Sequence, residues 1–243
     1  CGVFTLARLA LAKGDREMLE DSREMLKRMA SQCCMEDFCR STYALADGYL
    51  AILCGQQDRV EPWLAEGGIG NRLLIMVIPF TYIIYGRLLI QRKEYQRFLG
   101  VSEYMMETSS IFPNLLPQVY LRIYRAQAFY ELKNSAESIS QLNEAFRLAL
   151  PDRVILPFSD NYEGIKDLLA DTICPEMSRR EIQLFAQKLD RGVNEQNRGI
   201  GALTSREQEV LALLEKGMTN KEITAELYIS FSVAKKHVSS ILK

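Results

Sequence analysis

Histidine is nearly absent: the chain has one in 243 residues, His237. Histidine acid–base chemistry and any Ser-His-Asp arrangement would therefore have to be built around position 237. The six cysteines, Cys1, Cys33, Cys34, Cys39, Cys54 and Cys174, include no C-x-x-C pair. Neither a disulfide scaffold nor a zinc site is spelled out, so free reduced thiols and no metal are expected. Net charge is lacking too. With 30 Lys+Arg against 31 Asp+Glu, no global field points to nucleic acid, and any such attraction has to be local. No G-x-x-x-x-G-K-[ST] occurs, since the glycine-rich Gly67-Gly68-Ile69-Gly70-Asn71 lacks the lysine and a preceding strand. The longest apolar stretch, Leu73 to Ile90, is broken by Pro79, Gly86 and Arg87. It falls short of the ~20 residues a membrane span needs, and a buried helix is expected there. Glu17, Glu20, Asp21 and Glu24 stand at helical spacing among basic residues and read as a solvated face. No catalytic residue and no enzyme activity are assigned.

What the chain does have is helical periodicity. Before Thr172 almost every segment reads as amphipathic helix separated by short polar breaks, with few β-branched alternations. Ala7 to Gly14, Gly48 to Gly55, Gly86 to Lys93 and Ala126 to Lys133 can be laid over one another. Each opens with a small residue inside an apolar helix and closes at a polar turn. The offsets are near 40 residues, within the range of stacked helix pairs. A second helix is expected after each turn, over Arg16–Met29, near Asp58–Ala65, over Glu94–Glu107 and over Ala136–Ala149. The expectation is an all-α chain: an α-solenoid of TPR-like helix pairs over residues 1–173, without the usual Trp/Tyr signature. Tyr82, Tyr85, Phe98, Tyr104, Tyr120, Tyr124, Phe129 and Tyr130 are expected mainly as packing between helices. Ser178 to Asp190 reads as a connecting helix capped by Ser178 with Glu181 three residues on. The glycine-containing stretch from Arg191 to Gly201 reads as a flexible tether, so residues 174–200 form a linker region.

The most informative segment is the last, residues 201–243. Thr204-Ser205-Arg206-Glu207 and Thr219-Asn220-Lys221-Glu222 each have the form of a capping box. Gly217 is placed to end the first of the two helices in a left-handed conformation. A third helical pattern follows Ile229-Ser230, with Ala234, Val238 and Ile241 on one face. The rest of that helix carries Lys235, Lys236, His237, Ser239, Ser240 and Lys243 and no acid. The whole segment holds six Lys/Arg against five Asp/Glu, so it works by placement of charge. A helix of this kind fits the major groove. Lys235, Lys236 and Ser239 are the candidate base readers. Thr204, Thr219, Asn220, Lys221, Ser232, His237 and Lys243 are the candidate phosphate contacts.

The run LTSREQEVLALLEKGMTNKEITAELYISFSVAKKHVSSILK resembles the LuxR-type helix–turn–helix. That family's pattern is approximately L-T-x-R-E-x-E-V-L, then G-x-[ST]-N-K-E-I-A, then L-x-I-S-x-x-T-V-K-x-H. Matching positions include Leu203, Thr204, Arg206, Glu207, Glu209, Val210, Leu211, Gly217, Asn220, Lys221, Glu222, Ile223, Leu227, Ile229, Ser230, Lys235 and His237. Thr224 and Ala234 stand where the family prefers Ala and Val, and Val233 where it usually has Thr. The resemblance implies a cytoplasmic transcription regulator whose partner is double-stranded DNA, bound as a homodimer or higher oligomer. Family members normally add a further helix after the reading helix. The start at Cys1 and the end at Lys243 are thus expected to be those of a fragment with an incomplete DNA-binding domain.

The helical region is more loosely similar to the sensor region of large ATP-dependent LuxR-type regulators, the MalT-like group. Ala136 to Ala145, Ala149 to Phe158 and Asp167-Leu168-Leu169 carry that likeness. It implies an unknown small-molecule or protein inducer. It also implies an ATPase upstream of Cys1, so ATP would serve the parent protein and no cofactor is expected in this chain. The competing expectation is a helical-repeat scaffold that binds protein and not DNA.

Overall fold

A computed structural model describes residues 2–32, 36–68, 73–198, 205–227 and 229–241, without the side chains at 36, 37, 198, 205–208, 225, 236 and 240. Every regular element among the described residues is helical. They form two compact units, Cys1–Val193 and Asn194–Lys243.

The first unit begins with α1 (Gly2–Lys13), α2 (Arg16–Ser31), α3 (Glu36–Leu53) and the single-turn α4 (Pro62–Ala65). It continues with α5 (Ile78–Gln91), α6 (Tyr95–Ser110), α7 (Leu116–Glu131) and α8 (Ser135–Ala149). Two short helices, α9 (Leu156–Asp160) and α10 (Tyr162–Ile165), precede the long α11 (Glu176–Arg198). The four repeated turns expected from sequence are present and share one geometry. Gly14, Gly55, Lys93 and Lys133 all have positive φ, from 60° to 72°. In each turn the N–H of that residue donates to a carbonyl three back, and the next N–H donates to one five back. The pairs are Gly14 to Leu11 with Asp15 to Ala10, Gly55 to Ile52 with Gln56 to Ala51, Lys93 to Ile90 with Glu94 to Leu89, and Lys133 to Tyr130 with Asn134 to Phe129. This paired closure satisfies carbonyls orphaned at the end of each first helix and reverses the chain for the second.

The small residues that open each repeat have a packing reason. A Cβ on Gly86 would lie 2.9 Å from Tyr124 Cδ2 and 3.1 Å from Phe98 Cε2, so α5 touches α6 and α7 at a point with no room for a methyl group. At Ala126 the Ser138 hydroxyl of α8 donates to the backbone carbonyl at 2.7 Å, an approach a large side chain would block. Around these contacts the core is continuous with the repeats. Ala51, Ile52, Leu64, Ile84 and Leu88 join α3, α4 and α5. Phe98, Tyr120, Leu121 and Tyr124 join α6 and α7 to α5. Phe146 stacks on Phe158 at 4.1 Å beneath α7 and α8. The segment from Leu73 to Ile90 contributes α5, buried from Tyr82 to Tyr85 and again at Leu88 and Leu89. Among the described residues no helix is long and apolar enough to cross a membrane. Of the eight aromatics singled out, Tyr82, Tyr85, Phe98, Tyr120 and Tyr124 are core, whereas Tyr104 is 62% exposed.

The first unit departs from a simple open array, in which each repeat touches only its neighbours. Its first helix meets its last ones. Arg8 of α1 forms a bidentate pair with Asp160 at the end of α9. Ala7, Ala10 and Leu11 of α1 share a core cluster with Leu189 and Val193 of α11. Gly192 lies so close to the Leu11 carbonyl that any Cβ there would collide with it.

That packing corrects two expectations. The tether expected over residues 191–201 is helical through Arg198, because the apolar spacing of Ile182, Ala186, Leu189 and Val193 continues past Asp190 and the glycine at 192 serves close packing instead of freedom. Residues 199–201 of that stretch lie outside the described residues. Nor does Ser178 cap the connecting helix. The helix starts two residues earlier at Glu176, where the Pro175 carbonyl accepts the Arg179 N–H at 3.0 Å, and Glu181 pairs with Arg153 instead. A third correction concerns the thiols. Cys54 and Cys174 are buried, but Cys39 is disulfide-bonded; sequence spacing is blind to which sulfurs the fold brings within bonding reach. Cys33 and Cys34, and Ile69 to Asn71 of the glycine-rich loop, are outside the described residues.

Candidate nucleic-acid interface

The second unit contains α12 (Ser205–Glu215), α13 (Asn220–Leu227) and α14 (Phe231–Ile241). Its core is small. Val210 and Leu213 of α12, Ile223 of α13 and Ala234 of α14 are buried, with Leu214, Met218, Leu227, Ile229, Val238 and Ile241 packed against them. The stripe expected on the third helix, Ala234–Val238–Ile241, is therefore the face that holds α14 to its two neighbours. Alanine at 234 is fully buried and fills the position where the related pattern has valine.

Local devices fix the angles between these helices. Helix α12 ends at Gly217, φ 78°, where the Gly217 N–H donates to the Leu214 carbonyl at 2.9 Å and the Met218 N–H to that of Leu213 at 3.1 Å. The turn into α13 is the expected capping box. Thr219 donates its N–H and its hydroxyl to Glu222 Oε2, both at 2.7 Å, and its Oγ1 accepts the Glu222 N–H at 3.4 Å. The hydrogen bond from the Thr219 N–H, followed by that from its hydroxyl, holds the Glu222 carboxyl below its usual range. Helix α14 is opened by Ser230, whose Oγ accepts the Val233 N–H at 3.4 Å.

On this frame Ser232, Lys235 and Ser239 are all exposed and, at i, i+3 and i+7, share one face of α14 away from the packed stripe. Two of the three candidate base readers, Lys235 and Ser239, are thus brought together. The Lys236 side chain is outside the described set, as are the whole of Thr204 and Lys243, so the first capping box is not described. His237 is half-buried, at the margin of the helix. Lys221 is exposed and Asn220 half-buried in the first turn of α13, where the amide dipoles favour an anion. Thr219 sits beside them, but both its donors engage Glu222, so a phosphate would have to compete with that carboxylate. The Ser232 hydroxyl lies 3.0 Å from that of Ser230.

Sequence reasoning missed two residues of this surface. Phe231 and Val233 are 50% and 39% exposed. By spacing, Phe231 belongs to the apolar stripe, three residues before Ala234. As the first residue of α14 it has no packed neighbour of the stripe beyond it, so it is left at the surface. Apolar groups on a reading helix are suited to the thymine methyl.

Residues 201–243 match the family model described as bacterial regulatory proteins, luxR family. The chain is similar to the transcriptional regulatory protein LiaR of Bacillus subtilis (strain 168), 49% identical over 41 residues, which are 17% of this chain and 19% of that protein. It is also similar to the transcriptional regulatory protein LnrK of the same organism, 36% identical over 95 residues, 32% of this chain and 43% of that protein. The chain spans less than half the length of either relative. No solved structure matches. Residues 201–243 are a LuxR-family helix–turn–helix domain.

Proposed function

We propose that the chain is the sensing and DNA-reading part of a cytoplasmic transcription regulator. The helical repeats receive a signal, and α14 enters the major groove of double-stranded DNA. The observation that carries this reading is the exposed row Ser232–Lys235–Ser239 on a helix without a single acid, buttressed by a capped α13 that presents Lys221 and its amides to the backbone. In this reading Lys235, Lys236 and Ser239 read base edges, while Asn220, Lys221, Ser232 and His237 position the protein on phosphate. Phe231 adds an apolar contact. The repeats and their closing segment support a MalT-like arrangement, in which an inducer acts on the helical unit, ATP belongs to a module outside this chain, and the working form on DNA is a dimer or larger. The chain itself performs no catalysis.

Duplexes selected by the chain from a random-sequence pool test the assignment by fluorescence anisotropy. Lys235→Ala should relax discrimination at one or two base positions by about 1–3 kcal/mol. Lys221→Ala should weaken all duplexes alike and flatten the dependence on salt by about one counterion. If both variants bind selected and random duplexes as the parent chain does, α14 is not the reading helix.

A further inference from the structure

The geometry points to a binding site inside the first unit for an amphiphile with a hydrocarbon body and one acidic group, of the fatty-acid type. This deepens the sensing role proposed above by naming what the repeats would sense, and it rests on that reading. A cavity of about 960 Å³ lies between α1, α2, α3, α5, α7 and the segment before α9, at the upper end of the ~300–1,000 Å³ typical of small-molecule sites. Phe4, Phe38, Phe80, Ile84, Leu116 and Leu156 line it, so the wall is overwhelmingly carbon. Met29 and Leu156 of this wall are 57% and 49% exposed, apolar surface that an apolar occupant would remove from water.

The polar part of the wall sets the class of head group. Among the described lining residues the only charged side chains are arginines, Arg8 and Arg153. Arg8 belongs to a cluster in which it donates to both oxygens of Asp160, at 3.0 and 3.1 Å, and to the Tyr49 hydroxyl at 3.0 Å. The Tyr49 and Tyr120 hydroxyls lie 2.7 and 2.5 Å from Asp160 Oδ2 as donors to it. The cluster is oriented. Its arginine is 17% exposed and lines the cavity with the two tyrosines, whereas its aspartate is 2% exposed and does not. The described wall of the cavity therefore presents guanidinium and phenol edges and no carboxylate, which suits an acidic head group and disfavours a cationic one. The helix that carries Arg8 also packs on α11 through Leu11 and Gly192, so an occupant bears on the helix that leaves the unit.

Isothermal titration of the chain, without DNA, with dodecanoate and with dodecanol tests the site. Saturable one-to-one binding of dodecanoate is expected, at least about tenfold tighter than that of dodecanol, a margin of about 1.4 kcal/mol. Ala46→Phe, which fills the cavity and leaves the Arg8 cluster intact, should weaken both by about tenfold or more. Arg8→Gln should narrow the acid–alcohol margin; if it does not fold, the other two measurements decide. No saturable binding, equal affinity for the alcohol, or undiminished binding by Ala46→Phe each overturns the proposal. Because no duplex is present, a failure here leaves the assignment of α14 standing, and a failure of DNA binding leaves this result readable.

Discussion

The two units are made of the same element and held together by opposite means. In the first, the largest fully buried side chains are Tyr124, Phe98, Phe146 and Phe158, and the contacts that close it join residues as far apart as Arg8 and Asp160, 152 positions along the chain. In the second, Val210, Leu213, Ile223 and Ala234 form the core among the described residues, and the Gly217 closure, the Thr219–Glu222 box and the Ser230 cap each span six residues or fewer. A domain of that size buries too small a fraction of its surface to be more than marginal alone. Its shape is therefore set by local chemistry, and the shape of the first unit by distant chemistry. Damage to one distant contact should be felt throughout the first unit, and damage to one cap should be felt in the second alone.

The largest expected effect is at Asp160. Replacing it by alanine leaves the Arg8 guanidinium mostly buried without its carboxylate and removes the acceptor of two tyrosine hydroxyls. In the folded protein burial is the largest single influence and opposes the Arg8 charge, but Asp160 together with Tyr49 and Tyr120 outweighs it and holds the pKa above its usual value. Asp160→Ala should cost the first unit about 3 kcal/mol. Trp63, the single tryptophan, packs against the α3–α5 core, so its fluorescence in a urea titration reports that unit. Amide exchange at Val210, Ile223 and Ala234 should not change. A loss under about 1 kcal/mol would show that the long-range cluster contributes little, and the contrast between the units would fail.

Next in size is Gly192→Ala. The new Cβ would meet the backbone carbonyl of Leu11, which unlike a side-chain tip cannot turn away. A loss of about 2 kcal/mol, typical of overpacking, is expected, with faster amide exchange in both α1 and α11. A variant as stable as the parent would mean that α11 is not docked on α1 and would restore the tether expected from sequence.

That contrast explains what could be read from sequence. The described part of the second unit was legible because the Thr219–Glu222 capping box, a C′ glycine and an apolar stripe at i, i+4 and i+7 are all encoded within a few positions. The repeat was legible for the same reason: Gly14, Gly55, Lys93 and Lys133 mark turns whose hydrogen bonds are local. The Arg8–Tyr49–Tyr120–Asp160 cluster was not, since its members come from four helices and nothing near any of them announces the others. The linker misled for a related reason. Glycine at 192 has the composition of a tether, and only the approach of Leu11 turns it into a packing residue. Phe231 was missed because spacing alone does not mark where a stripe loses its packed neighbours at the end of a helix.

A smaller effect, confined to the second unit, is expected from Thr219→Ala. It removes one arm of the capping box and should cost about 1 kcal/mol, measured by amide exchange in α13 with Trp63 fluorescence unmoved. The box also gives that unit an acid-sensitive term. Glu222 is held below its ordinary pKa of 4.5, so its contribution is fully present above that value and is lost as pH falls through the lowered one. Thr219→Ala should blunt that acid loss. An unchanged acid profile would show that the hydrogen bonds of Glu222 to Thr219 are not what stabilises the helix start.

The smallest effects compare the units through a device they share. Gly55 of the first unit and Gly217 of the second have φ of 72° and 78°, and a Cβ on either would meet nothing within 4 Å. Alanine at each position therefore tests backbone strain alone and should cost about 1 kcal/mol in both units. The converse changes run the other way. Lys93 and Lys133 already occupy the left-handed region, φ 60° and 65°, so Lys93→Gly and Lys133→Gly relieve strain. Part of that gain is offset by the greater freedom glycine gives the unfolded chain, leaving about 0.5 kcal/mol each. A urea midpoint that falls on either glycine substitution would mean that the lysine side chain contributes more than its turn costs. Equal losses at Gly55 and Gly217 but a larger fall in amide protection for the second unit would tie its fragility to the smallness of its core, because the strain introduced is the same.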